Sequence, residues 1–314
     1  VYELTVVAPV YNGELTVKNF VEQVLRQLVA LKKSSQIILV DDGSTDQSWQ
    51  EIEKLKSRNV SIKSLKLSKN YGQHVAIFAG LKEVNSKWTI VMDADLQENP
   101  IYIPLLYAEA KKLNESVVIK NYNSISNSFL HKILRKTFYK LFIKLIDFEY
   151  IPEIANYGIY EKNLIRVICA TKNRYPFFPG LIRQSGYKLN EIDGVKERIE
   201  GNKSTYNYQR LIRHGLNIIL SQSTRLMRIF VRIAIYTSLI SILFFFVNLF
   251  VYFMSGNKVS GWFSLFSLIL LFFSFLLVLV SVIGTYVGNI YEILLDKPYF
   301  KIDKKISTNS KIGR

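Results

Sequence analysis

Short apolar runs and helical apolar spacings alternate along the first 120 residues. Leu4–Ala8 (LTVVA) is a β-branched run of the kind that forms a buried strand. From Leu15 to Leu31 the apolar positions Val17, Phe20, Val21, Val24, Leu25 and Leu28 recur at helical spacing. Gln36–Val40 (QIILV) reads as a second buried strand, followed by a helix from about Asp46 to Lys56. Val60–Leu67 alternates as a third strand, Gly72–Val84 reads as a helix and Trp88–Met92 (WTIVM) as a fourth strand. A helix over Ile101–Leu113 and a strand over Val117–Lys120 complete the series. Strands alternating with helices of this length predict an α/β fold with crossover units and a mostly parallel sheet. Ligands of such sheets bind beyond the carboxyl ends of the strands. A polar cluster follows each of the first four strands, so the clusters are expected along one edge.

The pattern then changes. Residues 127–148 carry an apolar helical face (Phe129, Leu130, Ile133, Leu134, Phe138, Leu141, Phe142, Leu145, Ile146) and a basic one (Lys132, Arg135, Lys136, Lys140, Lys144). Such a helix suits a membrane surface, and Tyr208–Arg228 is a weaker interfacial stretch of the same kind. Ile229–Met254 and Trp262–Leu294 each exceed the ~20 apolar residues that cross a bilayer, with Ser255–Gly261 as a short turn. Arg225, Arg228 and Arg232 precede the first span, and Lys297, Lys301, Lys304 and Lys305 follow the second. The positive-inside rule then places both flanks, and the α/β region, in the cytoplasm. The expected organisation is an α/β core over residues 1–125, a basic juxtamembrane region over 126–228, a transmembrane hairpin over 229–295 (about 229–254 and 262–294), and a basic cytoplasmic tail over 296–314.

Composition adds little beyond charge. The mean hydropathy of +0.14 comes mainly from the hairpin. A net charge of +16 over 314 residues points to a polyanionic partner. Beside two apolar spans, that partner is anionic lipid. No zinc spacing or RNA-binding aromatic signature accompanies the charge, which argues against nucleic acid. The single cysteine, Cys169, excludes an internal disulfide and fits a reducing compartment. No basic n-region and apolar h-region precede the first strand, so its residues read as strand rather than signal peptide. His74, His131 and His214 lack metal-ligand spacing.

The strand-end clusters carry the candidate chemistry. Asp93-Ala94-Asp95-Leu96-Gln97 places two carboxylates one residue apart after the fourth strand. Such a pair suits a hard cation, Mg²⁺ or Mn²⁺, that shares its remaining positions with substrate phosphates, and Gln97 offers a further oxygen. Asp41-Asp42-Gly43-Ser44-Thr45-Asp46 combines a tight turn and helix-capping residues with two adjacent acids, one able to accept from a base imide or a ribose hydroxyl. In Pro9-Val10-Tyr11-Asn12-Gly13-Glu14, Tyr11 suits stacking on a base, and Asn12 and Glu14 suit its polar edge or a ribose. In Ser68-Lys69-Asn70-Tyr71-Gly72-Gln73, Gly72 permits close backbone approach and the next helix N-terminus can face phosphate.

Taken in order, PVYNGE (Pro9–Glu14), DDGSTD (Asp41–Asp46), SKNYGQHVAIFAGL (Ser68–Leu81) and DADLQENP (Asp93–Pro100) resemble family 2 glycosyltransferases, which have the GT-A fold. Arg198-Ile199-Glu200-Gly201-Asn202-Lys203-Ser204-Thr205-Tyr206 resembles the R-x-x-G-x-S-x-Y region of the polyprenyl-phosphate glycosyltransferases, with one extra position before Ser204. That subgroup contains dolichyl-phosphate mannose synthases and bacterial bactoprenol glucosyltransferases, and the two C-terminal spans resemble its bacterial members. The resemblance implies a GT-A catalytic domain and inverting transfer from a nucleotide-sugar to a polyprenyl phosphate at the cytoplasmic face of a bacterial-type inner membrane. It implies a nucleotide site formed by Pro9, Tyr11, Asn12, Glu14, Asp41, Asp42, Asn70, Gly72, Gln73, Asp93 and Ala94. Asp93, Asp95 and Gln97 would hold the Mg²⁺ or Mn²⁺. Asp95, Arg198 and Lys203 would serve catalysis, and Lys120, Arg135, Arg198, Lys203, Ser204 and Tyr206 the acceptor phosphate. Some bacterial members assemble as tetramers, so a homo-oligomer is implied as well.

The chain departs from the family pattern at two places. Lys120 and Asn121 stand where members carry an arginine, with Arg135 further on; Asn156 stands where members carry an acid, with Glu153 nearby. These departures leave the acceptor and the sugar open, and two alternatives stand beside the polyprenyl-phosphate reading. One is a transferase acting on a hydroxyl of a lipid-linked saccharide, which needs a general base. The other is a membrane scaffold that binds nucleotide-sugars without turning them over.

Overall fold

The computed structural model describes residues 1–57, 59–121, 154–171, 176–194, 261–294 and 300–308, with Arg232, Tyr236, Leu243, Phe250 and Met254 as isolated helical positions. The chain divides into two compact units, one of residues 1–139, 148–207 and 298–314, the other of residues 140–147 and 208–297. The first unit runs β1 (Tyr2–Val10), α1 (Val17–Ala30), β2 (Ser35–Asp41), α2 (Ser48–Lys54), β3 (Ser61–Leu67), α3 (Gln73–Leu81) and β4 (Ser86–Val91). After a 3-10 turn at Pro100–Tyr102 come α4 (Ile103–Leu113), β5 (Ser116–Asn121), β6 (Ile154–Glu161), α5 (Lys162–Ala170), α6 (Phe178–Gln184) and β7 (Leu189–Gly194). In the second unit the described element is α7 (Trp262–Leu294), and the chain returns to the first unit as β8 (Ile302–Thr308).

The eight strands form one sheet in the order β7-β5-β6-β4-β1-β2-β3-β8. Its centre, β4-β1-β2-β3, is parallel. Successive side chains of a strand point to opposite faces, and here both faces are covered. Leu4, Val6, Ala8, Ile37 and Leu39 face α1, α2 and α4. Val7, Ile38 and Val40 face α3, α5 and α6. Burial on both sides explains why these strands are continuous apolar runs rather than alternating ones. Helix α1 buries Val17, Phe20, Val21, Val24 and Leu28, each worth about 1.5–3 kcal/mol.

From β1 the chain winds outward through β2 to β3, then returns to place β4 on the other side of β1. A crevice opens where the winding reverses, at the carboxyl ends of β1 and β4. The first and fourth polar clusters flank it, with the second and third following β2 and β3.

Three strands were not expected. β6 lies between β4 and β5 and is antiparallel to both, and β7 extends the sheet parallel to β5. Residues 296–314 are expected as a basic tail. That reading is corrected for residues 302–308, which form β8, antiparallel to β3. Ile302 and Ile306 pack on the core, and Ser61 and Thr308 exchange hydrogen bonds with the facing strand. Three charges in seven residues hid a strand whose pairing partner is more than 230 positions earlier.

Among the described residues no helix is long and apolar enough to cross a membrane. The backbone of α7 is a 33-residue helix, with side chains described only in part. Most of the expected first span and the helix over 127–148 lie outside the described residues.

Candidate functional site

The first two loops are stapled to each other through their polar side chains. Asn12, at a φ of 50°, accepts from Thr45 N–H at 3.0 Å and Thr45 Oγ1 at 3.2 Å, while its own N–H donates to Ser44 Oγ. Glu14 Oε2 accepts from Gln47 N–H at 3.0 Å, and the Glu14 N–H donates to Asp46 Oδ2 at 3.2 Å. Asp46 Oδ1 also accepts from Ser48 N–H at the first residue of α2. Burial pushes the Asp46 carboxyl up, but the hydrogen bonds from Ser48 and Glu14 outweigh it and hold it below the ordinary value. Asn12 and Glu14 therefore shape the cleft wall, and neither is among the side chains lining it.

Asp41 and Asp42 divide their work. Asp42 Oδ1 accepts from Tyr71 N–H at 2.8 Å and Oδ2 from Gly72 N–H at 2.9 Å, so one carboxylate fixes the third loop. Burial raises its pKa to about 6, against the pull of these two bonds. Asp41 Oδ1 accepts from Ser44 N–H. Its Oδ2 is buried with no hydrogen-bond partner among the described residues, and burial pushes this carboxyl up as well. The loops touch closely at Gly43, where φ is +64° and a Cβ would lie 2.3 Å from the Lys69 carbonyl carbon. No other residue fits there.

The fourth loop folds back on itself. Leu96 has a φ of 63°, Asp95 Oδ1 accepts from Gln97 N–H at 3.0 Å, and Glu98 Oε2 accepts from Asp93 N–H at 2.8 Å. Gln73, the first residue of α3, donates its amide to Asp93 Oδ1 at 2.5 Å. Behind the loop, the Tyr157 hydroxyl donates to Asn99 O. Burial, and after it the charge of Glu98, pushes the phenols of Tyr157 and Tyr160 up.

These loops enclose a cleft of about 290 Å³ lined by Pro9, Val10, Tyr11, Asp42, Asn70, Gly72, Gln73, Asp93, Ala94 and Asp95. Tyr11 is half exposed at the rim. Asp93 and Asp95 supply the acidic oxygens. Among the described residues no group of three or more His, Cys, Asp or Glu side chains could hold a metal. A two-carboxylate donor set fits Mg²⁺ or Mn²⁺, which keep several waters and take further oxygens from substrate phosphates. Gln97 enters the loop through its N–H, and its side chain is not among those lining the cleft. Lys120 is described in its backbone alone, within β5. Arg135, Arg198, Lys203, Ser204 and Tyr206 lie outside the described residues. Glu98, part of the fourth motif but given no role by the sequence, is 5% exposed and bonded to Asp93.

The family model for glycosyl transferase family 2 matches residues 5–175, more than half of the chain. An uncharacterized glycosyltransferase of Bacillus subtilis is 24% identical over 309 residues, covering 98% of this chain and 96% of that protein. An undecaprenyl-phosphate 4-deoxy-4-formamido-L-arabinose transferase of Photorhabdus laumondii is 29% identical over 316 residues, covering 98% and 95%. Among solved structures, glucosyl-3-phosphoglycerate synthase from Mycobacterium tuberculosis, in complex with Mn²⁺, UDP-glucose and phosphoglyceric acid, has a TM-score of 0.47 at 11% identity, over 71% of this chain and 79% of that one. S. aureus TarS in complex with UDP-GlcNAc has a TM-score of 0.46 at 16% identity, over 69% and 65%.

Proposed function

The chain belongs to glycosyl transferase family 2, and from that premise we propose that it moves a sugar from a nucleotide-sugar onto a polyprenyl phosphate at a membrane surface. The observation that carries the donor half is a cleft that brings together Tyr11, Asn70, Gly72, Asp93 and Asp95. Support for the acceptor half comes from relatives named as undecaprenyl-phosphate transferases, which align with 95–99% of this chain at 28–29% identity.

In this reading Tyr11 stacks on the base and the buried Asp41 Oδ2 accepts from its imide or from the ribose. Backbone N–H groups at the start of α3 face the diphosphate. Asp93 and Asp95 hold a Mg²⁺ or Mn²⁺, which when bound neutralises charge on the departing diphosphate. Arg198 and Lys203, with Ser204, Tyr206, Lys120 and Arg135, hold the acceptor phosphate. A phosphate monoester has its second pKa near ~6 and is mostly dianionic at neutral pH. It needs no general base, and Asn156 at the antiparallel strand β6 agrees with such an acceptor.

The membrane reading rests on the sequence of α7, which carries one charged residue, Glu292, in 33. Leu265, Phe273, Val287 and Ile290 are each more than half exposed. Together with 229–254 it would form a hairpin with both flanks, and the catalytic unit, in the cytoplasm.

The full chain, purified in detergent, is incubated with Mn²⁺ and a panel of nucleotide-sugars, with either undecaprenyl phosphate or a lipid-linked saccharide. Labelled glycolipid with undecaprenyl phosphate is expected, and its loss in Asp95→Asn. Product with the saccharide alone would replace this reading with the hydroxyl-acceptor one.

A further inference from the structure

The metal loop is closed by a side chain that faces away from the cleft. Glu98 is 5% exposed and follows Asp93 by five residues, yet its Oε2 reaches back to the Asp93 N–H at 2.8 Å. Two local features allow the return: the left-handed Leu96, at a φ of 63°, and the Asp95 Oδ1 bond to Gln97 N–H. The far side is tied down as well. Asn99 Oδ1 accepts from Ile101 N–H at 3.0 Å, and Asn99 O accepts from the hydroxyl of Tyr157, a side chain only 2% exposed.

Burying a carboxylate costs several kcal/mol unless it is hydrogen-bonded. A carboxylate bound to a backbone N–H makes a short, charge-assisted bond about twice as strong as a neutral one. Glu98 places that bond on the amide of the residue whose carboxylate opens the cation site. Asp93 is thus held at its backbone by Glu98 and at its side chain by Gln73.

We infer that Glu98 is a positioning residue of the cation site: its hydrogen bond to Asp93 N–H sets the Asp93–Asp95 spacing that the metal requires. The inference rests on the proposed metal role of those two aspartates. Outer partners that orient first ligands typically contribute 10- to 100-fold in metal affinity.

The test is a Mn²⁺ titration of the full chain, with UDP present and absent, reading free Mn²⁺ by its paramagnetic resonance signal. Glu98→Gln keeps an acceptor at the same reach and loses the charge. Glu98→Asp keeps the charge but is one methylene too short. Glu98→Met fills the space with no acceptor. The expected result is half-saturation within about threefold of wild type for E98Q, and about tenfold or more weaker for E98D and E98M. If E98M does not fold, E98D against E98Q decides. The reverse order, with E98D like wild type and E98Q weak, overturns the inference in favour of a pure charge effect. Equal affinity in all variants overturns it outright. A wild type that binds no Mn²⁺ withdraws the metal reading itself, and this inference with it.

Discussion

Gln73 donates its side-chain amide to Asp93 Oδ1 at 2.5 Å, joining the first residue of α3 to the acid that opens the fourth loop. Gln73 sits directly after Gly72, which Asp42 holds by its N–H. A short chain of contacts therefore runs from the second loop through the third to the fourth. Gln73→Ala removes one solvent-exposed hydrogen bond to the Asp93 carboxylate. The expected result is a donor KM raised about tenfold or more with little change in Tm, because Gln73 is exposed and buries no core. Steady-state kinetics with varied nucleotide-sugar, beside a thermal melt, checks both.

Nucleotide binding should weaken on acidification through pH 6. Asp42 has its pKa raised to about 6 by burial, against an ordinary 3.8. Above that value both oxygens accept from the third loop. Below it one oxygen carries a proton, and an N–H of Tyr71 or Gly72 loses its acceptor, which costs about 1 kcal/mol. The stability effect of the same group has the opposite sign. The folded chain binds this proton more tightly than the unfolded one, so its stabilising contribution is complete below pH 3.8 and is lost as pH rises through about 6. Acid loss of binding is therefore expected without unfolding. Nucleotide titrations between pH 5 and 7.5, beside circular dichroism, check this. In Asp42→Asn binding should be weak and nearly flat with pH.

Gly43→Ala should cost about 1–3 kcal/mol of stability and disorder two loops at once. Its Cβ would enter the Lys69 backbone at 2.3 Å with φ held at +64°. Gly72, at a φ of +98°, has no atom within 4 Å of such a Cβ among the described residues, so Gly72→Ala carries strain without the clash. Denaturant unfolding of the two variants should rank them in that order.

The C-terminal strand is held by a small ion cluster. Glu83 Oε2 meets Lys63 Nζ at 2.6 Å and Lys305 Nζ at 2.6 Å. Burial pushes the Glu83 carboxyl up, but Lys305 and Lys63 together outweigh it and hold it below its ordinary value. A depressed carboxyl stabilises above its unfolded pKa, 4.5, and that contribution is lost as pH falls through the lower folded value. Glu83→Gln should cost about 1 kcal/mol at pH 7 and less at high salt, since Lys305 is half exposed. Acid titration at two salt concentrations measures it. Ending the chain after Tyr299 should lower Tm further, by baring the β3 edge.

The central sheet was legible because burial on two faces forces apolar runs such as QIILV, and the strand-end positions of the four motifs follow from that. The division of labour inside the motifs was not. A sequence shows which polar side chains follow a strand, as Asn12, Glu14 and Asp42 do. It does not show which of them are consumed by neighbouring N–H groups. Glu98 is hidden for the complementary reason: it belongs to the fourth motif yet its carboxylate turns back to the Asp93 N–H. Strands β6, β7 and β8 were missed because each contains glycine or several charges and pairs with residues distant in sequence. The acceptor residues Arg198, Lys203, Ser204 and Tyr206 stay with the family resemblance.

Strand β8 gives the order of translation a structural meaning. The Ser68 N–H, at the threshold of the third loop, is satisfied by Lys301 O at 3.0 Å. A ribosome adding ~5–20 residues per second reaches β8 roughly ten to fifty seconds after finishing β3. During that interval the long apolar helix is made and the β3 edge lies open, a template for stray pairing. A chain interrupted anywhere in its apolar segments therefore carries both an unguarded sheet edge and a third loop whose Ser68 N–H has lost its partner.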